Sequence, residues 1–90
     1  MNNKIALESL AMDLKRVALG YHRGSNTMAL RFVSEALNRK KEIDSSLVKP
    51  YIKRLLQTLE DELNHTDKKR VAENSLMIST LFQNYCTSYL

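Results

Sequence analysis

The sequence predicts an all-α fold, a compact antiparallel bundle of about four helices formed by residues 1–90 as a single domain. One proline and two glycines in 90 residues leave few points at which long helices would be broken. Apolar residues recur three or four positions apart in four separate segments, which is the helical period. Hydrophobic residues make up 43% of the chain and charged residues 27%, which is typical of a globular domain.

The first helix is expected from about Asn3 to Leu19. Gly20 is a plausible end, because glycine accepts the left-handed conformation that closes a helix. The inner face is formed by residues at helical spacing: Leu7, Leu10, Ala11, Leu14, Val17, Ala18 and Tyr21.

The second helix is expected to begin after a Ser25 or Asn26 cap and to continue to about Lys41. Basic residues in its last turn suit the negative end of the helix dipole. Its inner face consists of Ala29, Phe32, Val33, Ala36 and Leu37.

The third helix is expected from roughly Ser46 to Asn64, after the cap cluster Asp44-Ser45-Ser46. Pro50 falls near its start, where a missing N–H does least harm. The inner stripe is Val48, Ile52, Leu55, Leu56, Leu59 and Leu63.

Thr66 or Asp67 can cap the fourth helix, which is expected to run to near residue 90. Its inner stripe is Val71, Ser75, Ile78, Phe82, Tyr85 and Tyr89, with Leu81 beside it. Short turns between four amphipathic helices favour antiparallel neighbours around one core.

Helix 1 carries a second apolar row, Ile5, Met12 and Leu19, opposite its inner face, with Arg16 beside it. Repetition every seven residues suits packing against another helix. One interpretation is a surface for a protein partner, either a second copy or another protein. The other is that helix 1 lies at the centre of the bundle and touches neighbours on both sides.

Helix 2 carries a polar face, and with Arg23 in the preceding turn it suggests a helix-turn-helix that binds DNA or RNA. Glu35 near the middle of this face and a net charge of only +4 argue against strong nucleic-acid binding. The residues of this face are Thr27, Arg31, Ser34, Asn38 and Lys41.

The turn His22-Arg23-Gly24-Ser25 precedes a helix N-terminus, and such termini bind anions. Its spacing matches neither a P-loop nor a dinucleotide fingerprint. An ordinary helix–helix turn is the favoured interpretation, and a phosphate or carboxylate site is the alternative.

Catalytic, metal and cofactor sites are not expected. Glu62-x-x-His65 occurs once, whereas di-metal bundles use two such motifs. The carboxylates of Glu60-Asp61-Glu62 point in different directions on a helix. Cys86 has no histidine nearby in the sequence to activate it, so the default is a structural thiol.

Membrane association is not expected, because no run of about 18 apolar residues occurs. A single cysteine and no recognisable signal peptide indicate a cytoplasmic protein. The leading hypothesis is therefore a small non-catalytic interaction domain, a homodimer or a subunit of a larger assembly. The alternative is a nucleic-acid-binding regulator that uses helix 2.

Overall fold

The computed structural model describes residues 2–90 and confirms an all-α bundle. Its four α-helices are α1 (Asn3–His22), α2 (Asn26–Lys40), α3 (Pro50–Leu63) and α4 (Lys68–Tyr89). A single 3-10 turn, Ser45–Leu47, precedes α3. The core consists of apolar side chains from all four helices, with Phe82 its largest fully buried residue.

The helices α1 and α2 form an antiparallel hairpin along their whole length. A tight turn joins one end, and a reciprocal pair of hydrogen bonds joins the other. Asn3 Nδ2 donates to the Asp44 carbonyl over 2.9 Å, and the Asp44 N–H donates to Asn3 Oδ1 over 2.9 Å. The chain after α2 is thereby fastened to the start of α1.

The helix α4 lies antiparallel to α1 on its other side. Ser79 Oγ, which is buried, donates to the Ala11 carbonyl over 2.7 Å. Nearer the C-terminus, Cys86 Sγ lies 3.9 Å from the Lys4 carbonyl oxygen. The first helix in the chain therefore lies between the second and the last.

The helix α3 closes the bundle between α2 and α4, where its two ends are held. The Lys49 N–H donates to the Tyr85 hydroxyl over 3.2 Å at one end. Arg70 donates to both carboxylate oxygens of Glu62 over 3.1 Å at the other. The bundle is therefore up-down-up-down, and α3 lies diagonally opposite α1.

Small residues let α1 approach both neighbours closely, because they keep side-chain volume out of the helix interfaces. Gly20 shows how close the approach to α2 is, since a Cβ on Gly20 would lie 2.7 Å from the Ala29 nitrogen. The small buried residues of α1 and its two neighbours are Ala6, Ala11, Ala18, Gly20, Ala29, Ala36, Ala72, Ser75 and Ser79.

The predicted end of the first helix at Gly20 is wrong, because α1 continues to His22. The left-handed residue is Gly24, with φ of +74°. The Gly24 N–H donates to the Tyr21 carbonyl and the Ser25 N–H to the Gly20 carbonyl, which is the Schellman pattern of helix closure. Close packing, rather than termination, requires glycine at position 20.

The predicted start of the third helix at Ser46 is also wrong. Pro50 is the first residue of α3, where its fixed φ fits and its missing N–H has no intrahelical partner to lose. The Asp44 carboxylate accepts hydrogen bonds from the Ser46 N–H and hydroxyl, which holds the preceding segment in a separate 3-10 turn.

The predicted caps of α2 and α4 are confirmed. Ser25 Oγ accepts the Met28 N–H, and the Asp67 carboxylate accepts the Arg70 N–H. At the far end of α4, Tyr89 was expected on the inner stripe but is 56% exposed. Its ring instead packs on Tyr85, with ring centroids 5.3 Å apart, and Lys49 Nζ lies 3.7 Å from its centroid.

Candidate interaction surface

The apolar row of α1 remains exposed although the helix has a neighbour on each side. Ile5 is 52% exposed, Met12 41% and Leu19 37%. Members seven residues apart are offset by only roughly 20° around a helix, so the three side chains form a nearly straight row. Each interpretation from the sequence describes one part of this arrangement. As the central-helix interpretation expects, α1 packs against two helices, and as the partner-surface interpretation expects, its third side faces solvent.

Charged side chains border the row on both sides. Glu8 and Lys15 are exposed on the flank nearer α4, by their positions around the helix. On the α2 flank, Arg16 lies 3.5 Å from an Asp13 oxygen, and its guanidinium is 5.4 Å from the Phe32 ring centroid. The row is therefore a narrow apolar strip with ordered charges beside it.

A cleft of about 470 Å³ adjoins the middle of the row, between α1 and α4. Gln83 Nε2 lies 4.0 Å from Met12 Sδ across it. Cys86 also lines the cleft, but its side chain is buried, and burial raises the pKa of the thiol. The protonated thiol is a poor nucleophile, so this cleft offers a recess for a partner's side chain more readily than a reactive site. The lining residues are Glu8, Met12, Gln83, Asn84, Cys86 and Thr87.

The polar face of α2 is also exposed. Thr27, Arg31, Ser34, Asn38 and Lys41 all face solvent, as does Arg23 in the turn before the helix. The Arg31 guanidinium lies 5.6 Å from the Phe32 ring centroid, which holds it close to its own helix. The acidic Glu35 is exposed as well.

The turn after α1 satisfies most of its own polar groups. His22, Arg23 and Gly24 are exposed, whereas Ser25 is half-buried and its hydroxyl caps α2. Ser25 Oγ accepts the Met28 N–H, which removes one of the free N–H groups at the start of α2 that an anion could contact. Of this turn, His22 alone reaches a second cleft, which lies beside α4.

Sequence reasoning missed a buried acid, Asp13, whose residue exposure is only 5%. Burial raises the pKa of its carboxyl above the usual value, against the opposing effects of Arg39 and Arg16. Within residues 2–90, one Asp13 oxygen and the Arg39 Nε are both buried without a hydrogen-bond partner. The sequence could have indicated this burial, because Asp13 lies on the α2-facing flank of α1, where the neighbouring residues are apolar or small.

The Glu62-x-x-His65 motif is part of an ion-pair cluster that joins α3 to α4. Hydrogen bonds from Arg70 and then Asn74 lower the pKa of the Glu62 carboxyl. The Arg70 guanidinium also lies 3.3 Å from His65 Nε2. In the described part of the chain, residues 2–90, no group of three or more His, Cys, Asp or Glu side chains could hold a metal ion.

No helix of residues 2–90 is both long enough and apolar enough to cross a bilayer. A comparison of the chain with protein-family models, curated proteins and solved structures finds no match. The surfaces of the chain itself are therefore the basis for a function.

Proposed function

We propose that this protein is a small, non-catalytic, cytoplasmic interaction domain that forms a homodimer through α1. The observation that carries the proposal is the exposed row Ile5, Met12 and Leu19 on a helix whose remaining faces are packed. Aligned apolar side chains that remain in water favour association, because each Å² of apolar surface that is buried stabilises the complex by about 25 cal/mol. The occupant we propose is a second copy of the chain, with its α1 antiparallel.

The row is self-complementary when one helix is reversed about Met12. The partner's Met12 then lies opposite Met12, and the partner's Leu19 lies opposite Ile5. Two-fold symmetry repeats the second contact at the other end of the row. A single patch thereby supplies both halves of the interface.

The bordering charges fit the same arrangement. Glu8 precedes Met12 by about 6 Å along the helix, and Lys15 follows it by about 4.5 Å on the same flank. Reversal brings the partner's Lys15 to within about 2 Å of Glu8 in axial position. Two Glu–Lys pairs therefore border the apolar row. In a parallel pairing, Glu8 and the Lys15 of the second copy would lie on opposite flanks of the row, so these pairs would not form.

We expect a weak dimer. A standard interface covers about 800 Å² per partner, roughly a seventh of the 5413 Å² surface of this domain. A three-residue row on one helix is narrower than that, so we expect a Kd in the range of about 10 μM to about 1 mM. Such an association is concentration-dependent and is suited to reversible assembly.

Sedimentation equilibrium over about 10 μM to about 1 mM tests the proposal. The wild-type mass should rise from 10.4 kDa towards twice that value. Met12→Lys places two cations at the symmetry axis and should weaken the dimer by about thirtyfold, equivalent to about 2 kcal/mol. The matched control is Met77→Lys, because Met77 is 52% exposed on α4 and lies outside the row. A strict monomer, or equal weakening by both variants, would refute the proposal.

A charge exchange tests the pairing direction. Glu8→Lys and Lys15→Glu should each weaken the dimer severalfold, because each places like charges level with each other across the axis. The double variant restores opposite charges and should recover most of the lost affinity. Failure of the double variant to recover would exclude the antiparallel register while leaving the row itself in place.

The polar face of α2 is the second candidate surface, for DNA or RNA, because its residues are uncovered. The α1–α2 hairpin gives it little support, since the helices of a helix-turn-helix cross at a wide angle instead of lying side by side. Salt-sensitive binding to mixed duplex DNA that is lost in Arg31→Ala would favour this function over self-association.

A further inference from the structure

A second cleft, of about 360 Å³, lies where the end of α1 meets the starts of α2 and α4. Its residues come from two distant stretches of the chain, 21–26 and 68–72, which the antiparallel packing of α1 on α4 brings together. The residues that line it are Tyr21, His22, Asn26, Lys68, Lys69 and Ala72. This cleft is separate from the apolar row and has a different chemistry.

The polar lining of the cleft has a positive balance. Lys68 and Lys69 are both exposed, His22 contributes an imidazole, and the six lining residues include no carboxylate. The nearest acid along α4, Asp67, is engaged in capping the helix through the Arg70 N–H. Lys68 Nζ donates to the His65 carbonyl over 2.9 Å, which holds this cation at the cleft and leaves its remaining two protons free to bind a ligand.

Tyr21 supplies an apolar wall beside the cations. The residue is half-buried, and its ring centroid lies 5.9 Å from Lys68 Nζ. Its hydroxyl is buried, so the ring is the part of Tyr21 that can contact a bound molecule. Ala72 also lines the cleft. The cleft thus combines a cationic side with an apolar side.

We infer that this cleft binds a small organic phosphate. Lys68 and Lys69 would contact the phosphate, and the organic part would pack on Tyr21 and Ala72. Adjacent lysines suit a dianionic phosphate better than a singly charged carboxylate. The volume falls at the lower end of small-molecule pockets, about 300 Å³ to about 1,000 Å³, and exceeds what inorganic phosphate alone would fill.

The test is a titration of the ¹⁵N-labelled protein at low ionic strength with phenyl phosphate, inorganic phosphate or phenol. Phenyl phosphate should produce saturable shifts of the amide signals of His22, Asn26, Lys68 and Lys69. It should bind about tenfold more tightly than inorganic phosphate, because only phenyl phosphate contacts the apolar side. Phenol should shift these signals little, since it lacks the anion.

Variants assign the response to the cleft. The double variant K68Q/K69Q should weaken phenyl phosphate by about tenfold, whereas Lys53→Gln, an exposed lysine on α3, should leave it unchanged. Tyr21→Ala removes the ring on which the organic part packs and should weaken binding severalfold, with the remaining shifts still at His22, Asn26, Lys68 and Lys69. Equal weakening by Lys53→Gln, equal affinity for the two phosphates, or shifts confined to other residues would overturn the proposal.

Discussion

Gly20 is the position at which a single methyl group should most clearly disturb the bundle. In an isolated helix, Gly→Ala stabilises by about 1 kcal/mol, because alanine has the higher helix propensity. Position 20 lies inside α1, so propensity alone predicts that Gly20→Ala raises the free energy of unfolding. Packing against α2 predicts the opposite sign.

The added Cβ would lie 2.7 Å from the Ala29 nitrogen, 2.9 Å from its Cα and 3.0 Å from its Cβ. Carbon atoms normally pack at about 3.5–4.0 Å, so α2 would have to move away from α1 by several tenths of an ångström or more. Two of these three contacts are with backbone atoms, which cannot rotate aside. Overpacking of this kind costs about 1–3 kcal/mol, and the upper end is expected here.

After subtraction of the propensity gain, Gly20→Ala should lower the free energy of unfolding by about 2 kcal/mol. For a domain of this size that corresponds to a melting temperature lower by about 10 °C. Urea and thermal unfolding followed by circular dichroism measure both quantities. Gly20→Ala with stability equal to or greater than wild type would refute the packing argument.

Two further variants separate the causes. Ala29→Gly removes the 3.0 Å contact but leaves the two backbone contacts, so it should rescue Gly20→Ala only slightly in a double-mutant cycle. Gly24→Ala has open space around the new Cβ but a φ of +74°. It should cost about 1 kcal/mol through backbone strain alone.

Three other variants test the polar interactions. Asp13→Asn should remove a pH dependence of the free energy of unfolding, because burial raises the pKa of the Asp13 carboxyl in the folded protein. As pH rises from the usual pKa of 3.8 through the raised one, the wild type should lose stability relative to this variant. Urea unfolding across this pH range measures the difference. Glu62→Gln should cost about 1 kcal/mol at neutral pH, and the cost should vanish as pH falls through the lowered pKa of Glu62; a cost unchanged in acid would contradict the ion-pair account. Tyr85→Phe leaves the Lys49 N–H without its acceptor and should cost about 1–2 kcal/mol in urea unfolding, with Tyr51→Phe as the control.

The sequence predicted the helices well where a helix end is set by a local hydrogen bond. Ser25 and Asp67 cap α2 and α4 through side chains that reach only three residues along the chain, so spacing alone locates them. Periodicity likewise identified the buried stripes, because a helical face is defined by neighbours three and four residues away.

Prediction failed where the deciding neighbour lies far along the chain. Gly20 was assigned to a turn because its contact with Ala29 depends on how two helices pack, which no local pattern records. Asp13 interrupted an otherwise apolar flank, but only the position of α2 buries it. The cleft beside Lys68 and Lys69 has the same origin, since His22 and Lys69 are 47 positions apart in the sequence.

The placement of α1 between the second and last helices also governs when the fold can be completed during synthesis. The α1–α2 hairpin joins neighbouring segments and can form early, because its loop is short. The opposite side of α1 is covered only by residues such as Ser79 and Cys86. Until those residues have left the ribosome, the Ala11 side of the first helix stays uncovered. A nascent chain of this protein therefore exposes this side of α1 throughout the synthesis of α2 and α3.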